Sequence, residues 1–113
     1  MTTEDIRSIA LKLPGATEDV KWGNDLCFCI AEKMFCVTLL EGDWKMSVKV
    51  DAEEFEELCQ RDGIIPAPYA ARNKWVLIDN AAKLSKKEAS DFIKKSYELV
   101  KAKLPKKVQE KLK

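Results

Sequence analysis

Leu26-Cys27-Phe28-Cys29-Ile30-Ala31, Met34-Phe35-Cys36-Val37-Thr38-Leu39 and Trp44-Lys45-Met46-Ser47-Val48-Lys49-Val50 follow one another with only short turns between them. Within each run the larger apolar residues recur at every second position, which is the pattern of strands with one buried face. Glu32-Lys33 and Glu41-Gly42-Asp43 supply the turns, so three antiparallel strands are expected in succession. The alternation places Leu26, Phe28, Ile30, Phe35, Val37, Leu39, Trp44, Met46, Val48 and Val50 on the core face. Cys27, Cys29, Cys36, Thr38, Lys45, Ser47 and Lys49 then share the opposite face.

The flanks supply helices. Thr2 or Thr3 caps a first helix in which Ile6, Ile9, Ala10 and Leu13 repeat at helical spacing, with Glu4 and Asp5 at the positive end of its dipole. Pro14-Gly15 stops it, and Glu18–Trp22 alternates weakly enough to form a short strand before the turn at Gly23-Asn24-Asp25. Asp51 with Glu54 has the spacing of a capping box, and Phe55, Leu58 and Cys59 give a short second helix its buried side. The segment from Ile64 to Lys74 holds Pro66 and Pro68 and is expected as a long loop, followed by a last strand at Trp75–Ile78. Ser85 with Glu88 opens a third helix running to about Lys103, whose apolar side is Ala89, Phe92, Ile93, Tyr97, Leu99, Val100 and Leu104. Residues 104–113 form a basic tail able to continue as a frayed helix. The order α-β-β-β-β-α-β-α predicts an α+β two-layer sandwich: an antiparallel sheet of about five strands with its helices on one face.

A chain of 113 residues with 46% apolar content fits one domain, 1–113, with a single core. Its 20 basic and 19 acidic side chains nearly cancel, but residues 1–82 carry a balance of −6 and residues 83–113 one of +7. The opening residues lack a cationic, apolar leader, and no run approaches the roughly 20 apolar residues of a membrane span, so a cytoplasmic protein with reduced thiols is expected. Histidine is absent. That removes Ser-His and Cys-His catalysis and imidazole metal ligands, and no nucleophile with a neighbouring base can be assembled from what remains. The expectation is a protein that is not an enzyme and needs no cofactor.

Leu13-Pro14-Gly15, Trp22-Gly23, Lys33-Met34-Phe35, Lys49-Val50 before an acidic helix, Pro66 to Tyr69 with Trp75 following, Ser96-Tyr97-Glu98-Leu99-Val100 and Lys103-Leu104-Pro105-Lys106-Lys107 occur in an order and spacing that resemble the MmcQ/YjbR family. The resemblance extends over essentially the whole chain. It implies a small bacterial protein with a compact α+β fold similar to frataxin-like (CyaY-like) and secretion-chaperone-like proteins, and a DNA-binding role. It carries no catalytic residues.

A surface for a phosphate backbone is available on the sheet face away from the core. Lys45 and Lys49 lie there, Lys21 precedes the first turn, and Arg72, Asn73 and Lys74 sit at the tip of the long loop beside Trp75. Lysines position a phosphate chain, whereas Arg72 and Asn73 are able to read base edges and Trp75 to stack on a base. The same residues also fit a merely solvated face. Binding through them is expected to be weak and salt-sensitive, by a monomer or weak dimer. The rival partner is a protein, received on the open sheet face or an edge strand. Cys27, Cys29 and Cys36 would share one face, with Cys29 opposite Cys36; without a CxxC knuckle they are expected to pack as small apolar groups rather than hold zinc. Glu53, Glu54, Glu56 and Glu57 are explained by the helix dipole, and Trp44 falls on the core face.

Overall fold

The computed structural model describes residues 2–68 and 71–112; Tyr69 of the family-like segment and Lys113 of the basic tail lie outside them. In chain order the elements are α1 (Thr3–Leu11), β1 (Thr17–Lys21), β2 (Asp25–Ile30), β3 (Lys33–Leu39), β4 (Lys45–Lys49), α2 (Ala52–Leu58), β5 (Ile64–Pro66), β6 (Trp75–Asp79), α3 (Lys86–Lys101) and α4 (Lys106–Lys111), with 3₁₀ turns at Ala71–Asn73 and Asn80–Ala82. The strands form one sheet in the order β1-β2-β3-β4-β6-β5, every neighbouring pair antiparallel. Helices α1 and α3 pack on each other and on β3, which makes the expected two-layer α+β arrangement.

Six strands stand where about five were expected. The extra one, β5, is cut from the segment read as loop: Ile64 pairs with Ile78 and Pro66 with Val76. Proline lacks the N–H that a central strand must donate, so Pro66 can be accommodated at the edge that β5 occupies. Gly63, at φ 82, lets the chain enter this strand while its backbone touches Ala82, and no side chain fits there.

The larger departure lies inside β3. Phe28 faces Cys36 across the β2–β3 ladder, but the next residue, Cys29, faces Met34, so Phe35 is an extra residue: a β-bulge. Phe35 and Cys36 are consecutive, yet both are fully buried. Past the bulge the phase of the strand is reversed relative to strict alternation. Cys36 and Thr38 face the core, while Val37 and Leu39, expected inside, lie on the other face opposite Cys27 and Asp25. The three thiols are therefore divided, Cys36 in the core and Cys27 and Cys29 across the sheet from it.

A bulge leaves backbone groups outside the ladder, and buried ones must find partners. Beyond the Cys36–Val48 pair, β4 continues along β6 but leaves β3. The hydroxyl of Ser96, fully buried on α3, fills the gap: it donates to the Phe35 carbonyl (2.5 Å) and accepts from the Lys49 N–H (2.9 Å). The adjoining Tyr97 packs edge-on against Phe35 at 5.4 Å and donates its hydroxyl to the Pro14 carbonyl (2.5 Å). One turn of α3 thus holds β3, β4 and the α1–β1 connection together.

The caps follow the sequence unevenly. Thr2 and Asp5 form a reciprocal capping box on α1, and the Ser85 side chain accepts from the Glu88 N–H on α3. Asp51 makes no side-chain cap on α2; its carboxylate and that of Glu54 both pair with Lys95 of α3, at 2.8 and 2.7 Å. An ammonium group attracts both carboxylates more strongly than a neutral N–H does. The basic segment ends in α4, whose following residue Leu112 is buried against Gly15.

Arg7–Glu18 (2.6 Å) and Arg61–Glu88 (2.9 Å) tie helix α1 to β1 and the α2–β5 connection to α3. The arginine hydrogen bonds hold both glutamates below their ordinary range. Each contribution is present above the unfolded glutamate value of about 4.3 and is lost as the pH falls through the lowered folded value. Solvent screening keeps both small.

Replacing Ser96 with Ala is expected to destabilise the fold by about 2–4 kcal/mol, because a buried N–H and a buried C=O lose their partners together. Urea unfolding should show a lower midpoint with an unchanged slope. Ser85→Ala, which removes an exposed cap, should cost about 1 kcal/mol. Equal losses in the two variants would mean that the Ser96 hydroxyl does not join the strands.

Candidate functional site

The face of the sheet away from α1 and α3 is built by a second set of alternating residues. Cys27, Val37, Ser47 and Leu77 form one row across β2, β3, β4 and β6, and Lys49 pairs with Trp75 in the next. Val37 reaches this face only because of the bulge in β3, whereas Met34, ahead of the bulge, lies there opposite Cys29. A groove of about 870 Å³ runs over it. Met34, Val37 and Ser47 form its floor; Trp22 and Asp25 stand at one side, Ala67, Pro68, Asn73 and Trp75 at the other. Val100, Lys103 and Leu104, from the end of α3 and beyond, close it where β3 and β4 have separated.

Three lysines, Lys33, Lys49 and Lys103, border this groove, and among the described residues none of them pairs with a carboxylate. Lys49 donates from Nζ to the Asn73 carbonyl (2.6 Å), which fixes its ammonium group beside the loop. Partial burial, and then the positive charge of Lys103, hold the Lys49 amine below its ordinary range. Two cations kept close together without an intervening anion form a place where an anion is favoured.

Of the seven residues singled out from the sequence, Lys49, Asn73 and Trp75 line the groove. Lys21 and Lys45 share its face but stand outside it, paired across strands with Asp25 and Asp79. Lys74 turns away, its ammonium 5.0 Å from the centre of the Phe55 ring. Arg72 is exposed in the 3₁₀ turn beside Asn73. The cations therefore gather at one end of the face rather than across it. Sequence reasoning missed Lys33, Lys103 and Met34 as groove residues, and left Trp22 as one aromatic among three. Lys33 looked like a turn residue and Lys103 like one lysine in the basic run at the end of the third helix, and only the packing of α3 over the parted strands brings them together. Trp44 packs on the core, as its phase predicted.

Comparison with known proteins places this geometry among related folds. The YjbR family model matches residues 11–99. The crystal structure of Deinococcus radiodurans protein DR2400, which has the domain DUF419, superposes with a TM-score of 0.87 at 26% identity, covering 98% of this chain and 87% of that one. A Pseudomonas syringae protein of known structure superposes with a TM-score of 0.74 at 20% identity, covering 88% of this chain and 98% of that one, a likeness of fold. No curated protein matches.

The thiols near the groove are chemically quiet. Burial, reinforced by Cys29, pushes the Cys27 thiol up to about 11, and burial likewise raises Cys29 and Cys36. A raised thiol is a protonated one at neutral pH, so neither a nucleophile nor a metal ligand is ready there. No group of potential metal ligands occurs among the described residues. Cys59, only partly buried at the end of α2, is the accessible thiol. A chromogenic disulfide reagent at mildly alkaline pH should titrate one thiol quickly in the folded protein and all four after denaturation. A second fast thiol would mean that the groove side of β2 is open to solvent at Cys27 or Cys29.

Proposed function

The chain belongs to the YjbR family, and from that premise we propose that it is a non-enzymatic DNA-binding module whose contact surface is the groove on the open sheet face. The observation that carries this reading is the cluster of Lys33, Lys49 and Lys103 at a groove that also presents tryptophan rings and the Asn73 amide. Lysines of this kind neutralise phosphates, and each neutralised phosphate releases counterions. Asn73 is a side chain able to pair with a base edge, and Trp75 offers a stacking surface. Arg72, exposed beside Asn73, extends the cationic rim.

A second reading is favoured by the apolar floor. Met34 and Val37, with the exposed Ile65 on edge strand β5, suit an extended peptide laid on the face or added to the edge. The two readings differ in their response to salt. Apolar contact tolerates it, whereas phosphate contact does not.

Fluorescence anisotropy with labelled DNA at low and physiological salt separates them. Three phosphate contacts predict a slope of log affinity against log salt of about −2 to −3. Lys33→Ala and Lys103→Ala should each weaken binding and reduce the slope by about 0.7–0.9. Arg72→Ala should weaken it more than Lys94→Ala, which lies on the outer side of α3. Flat titrations at low salt, or a peptide captured independently of salt in their place, would end the DNA reading.

A further inference from the structure

The two ends of the groove differ in chemistry. The three lysines and Asn73 provide one end with positive charge and a polar amide, while Trp22 and Asp25 stand at the other. Trp22 is 73% exposed, and its backbone lies at φ 53, in the left-handed region that a bulky residue rarely adopts. With Gly23 at φ 83 it forms the tip of the β1–β2 hairpin, closed by the Lys21–Asp25 pair. Small polar residues usually occupy such tips because they tolerate that backbone. Here a strained backbone holds an indole in water, at the mouth of a groove that a second indole, Trp75, also lines.

We infer that the groove takes single-stranded rather than duplex DNA, with bases stacking on Trp22 and Trp75 while the connecting phosphates meet Lys33, Lys49 and Lys103. This rests on the DNA-binding reading above and specifies its substrate. An indole stacks on the flat face of a base, and in a duplex those faces are covered by neighbouring pairs. A volume of about 870 Å³ lies in the range that holds one small organic molecule, which corresponds to a nucleotide or two and not to the side of a duplex. Asp25 accepts hydrogen bonds only, so it favours a base that turns an exocyclic amino group toward Trp22. The lowered Lys49 amine is consistent with this placement: an anion set between Lys49 and Lys103 relieves their mutual repulsion.

The experiment is a titration of the intact chain with a short oligodeoxycytidine, whose bases carry an exocyclic amino group, and with a duplex of the same length, at low salt, read by both anisotropy and intrinsic tryptophan fluorescence. Expected are quenching by the single strand, affinity for it at least about ten-fold above that for the duplex, and a loss of about ten-fold in Trp22→Ala that Trp22→Phe largely restores. Because Trp22 is exposed, its replacement is compatible with folding, and far-ultraviolet circular dichroism checks this. Equal or tighter duplex binding, untouched by Trp22→Ala, would overturn the single-strand inference and leave the DNA-binding reading standing. Absence of binding to either form, or capture of an apolar peptide alone, would overturn both.

Discussion

The buried hydroxyl of Ser96 stands between two strands that a bulge has pushed apart, and the rest of the molecule is arranged around that contact. Strand β3 carries one residue more than β2 can pair with, so Phe35 and Cys36 both enter the core and the strand's remaining side chains change face. The Phe35 carbonyl and the Lys49 N–H are then without ladder partners, and leaving either unpaired in the core is costly. A serine can satisfy both because its hydroxyl donates and accepts at once. Alanine or valine at the same place would fill space without meeting either group.

The local geometry of the groove follows from that arrangement. Where β3 and β4 diverge, Val100, Lys103 and Leu104 come within reach of the face that the helix otherwise lies behind. The reversed phase of β3 brings Val37 to the same face, and Met34 lies there opposite Cys29. The groove thus has an apolar floor on one strand and cations from three separate elements. A regular, unbulged sheet would have presented Cys36 and Thr38 there and kept β3 and β4 paired.

Charge is distributed by pairing more than by composition. A net charge of +1 suggests no preference for an anion. Yet Arg7, Arg61, Lys86 and Lys95 are matched to carboxylates on the helical side or at its margins, while Lys33, Lys49 and Lys103 face the groove without such partners among the described residues. Paired charges contribute little field at a distance, so the local potential differs from the average. The Trp22–Gly23 turn adds an aromatic edge to this region at the expense of an unfavourable backbone conformation.

Local pattern alone determined the α+β class, the order of the elements apart from β5 and α4, the caps at Thr2 and Ser85, and the buried sides of β2 and β4, because periodicity and capping depend on residues a few positions apart. It pointed to Lys49, Asn73 and Trp75 as neighbours on one face. It was silent on the bulge, since an extra residue is defined only against a partner strand, and alternation through Phe35, Val37 and Leu39 looks unbroken when read along one strand. Edge strand β5 was hidden by its proline and its brevity, and the Asp51 carboxylate was claimed by a lysine 44 positions away instead of by its own helix. Lys33, Lys103 and Trp22 became parts of one groove only when α3 crossed the parted strands, a juxtaposition set by packing between elements distant in the chain.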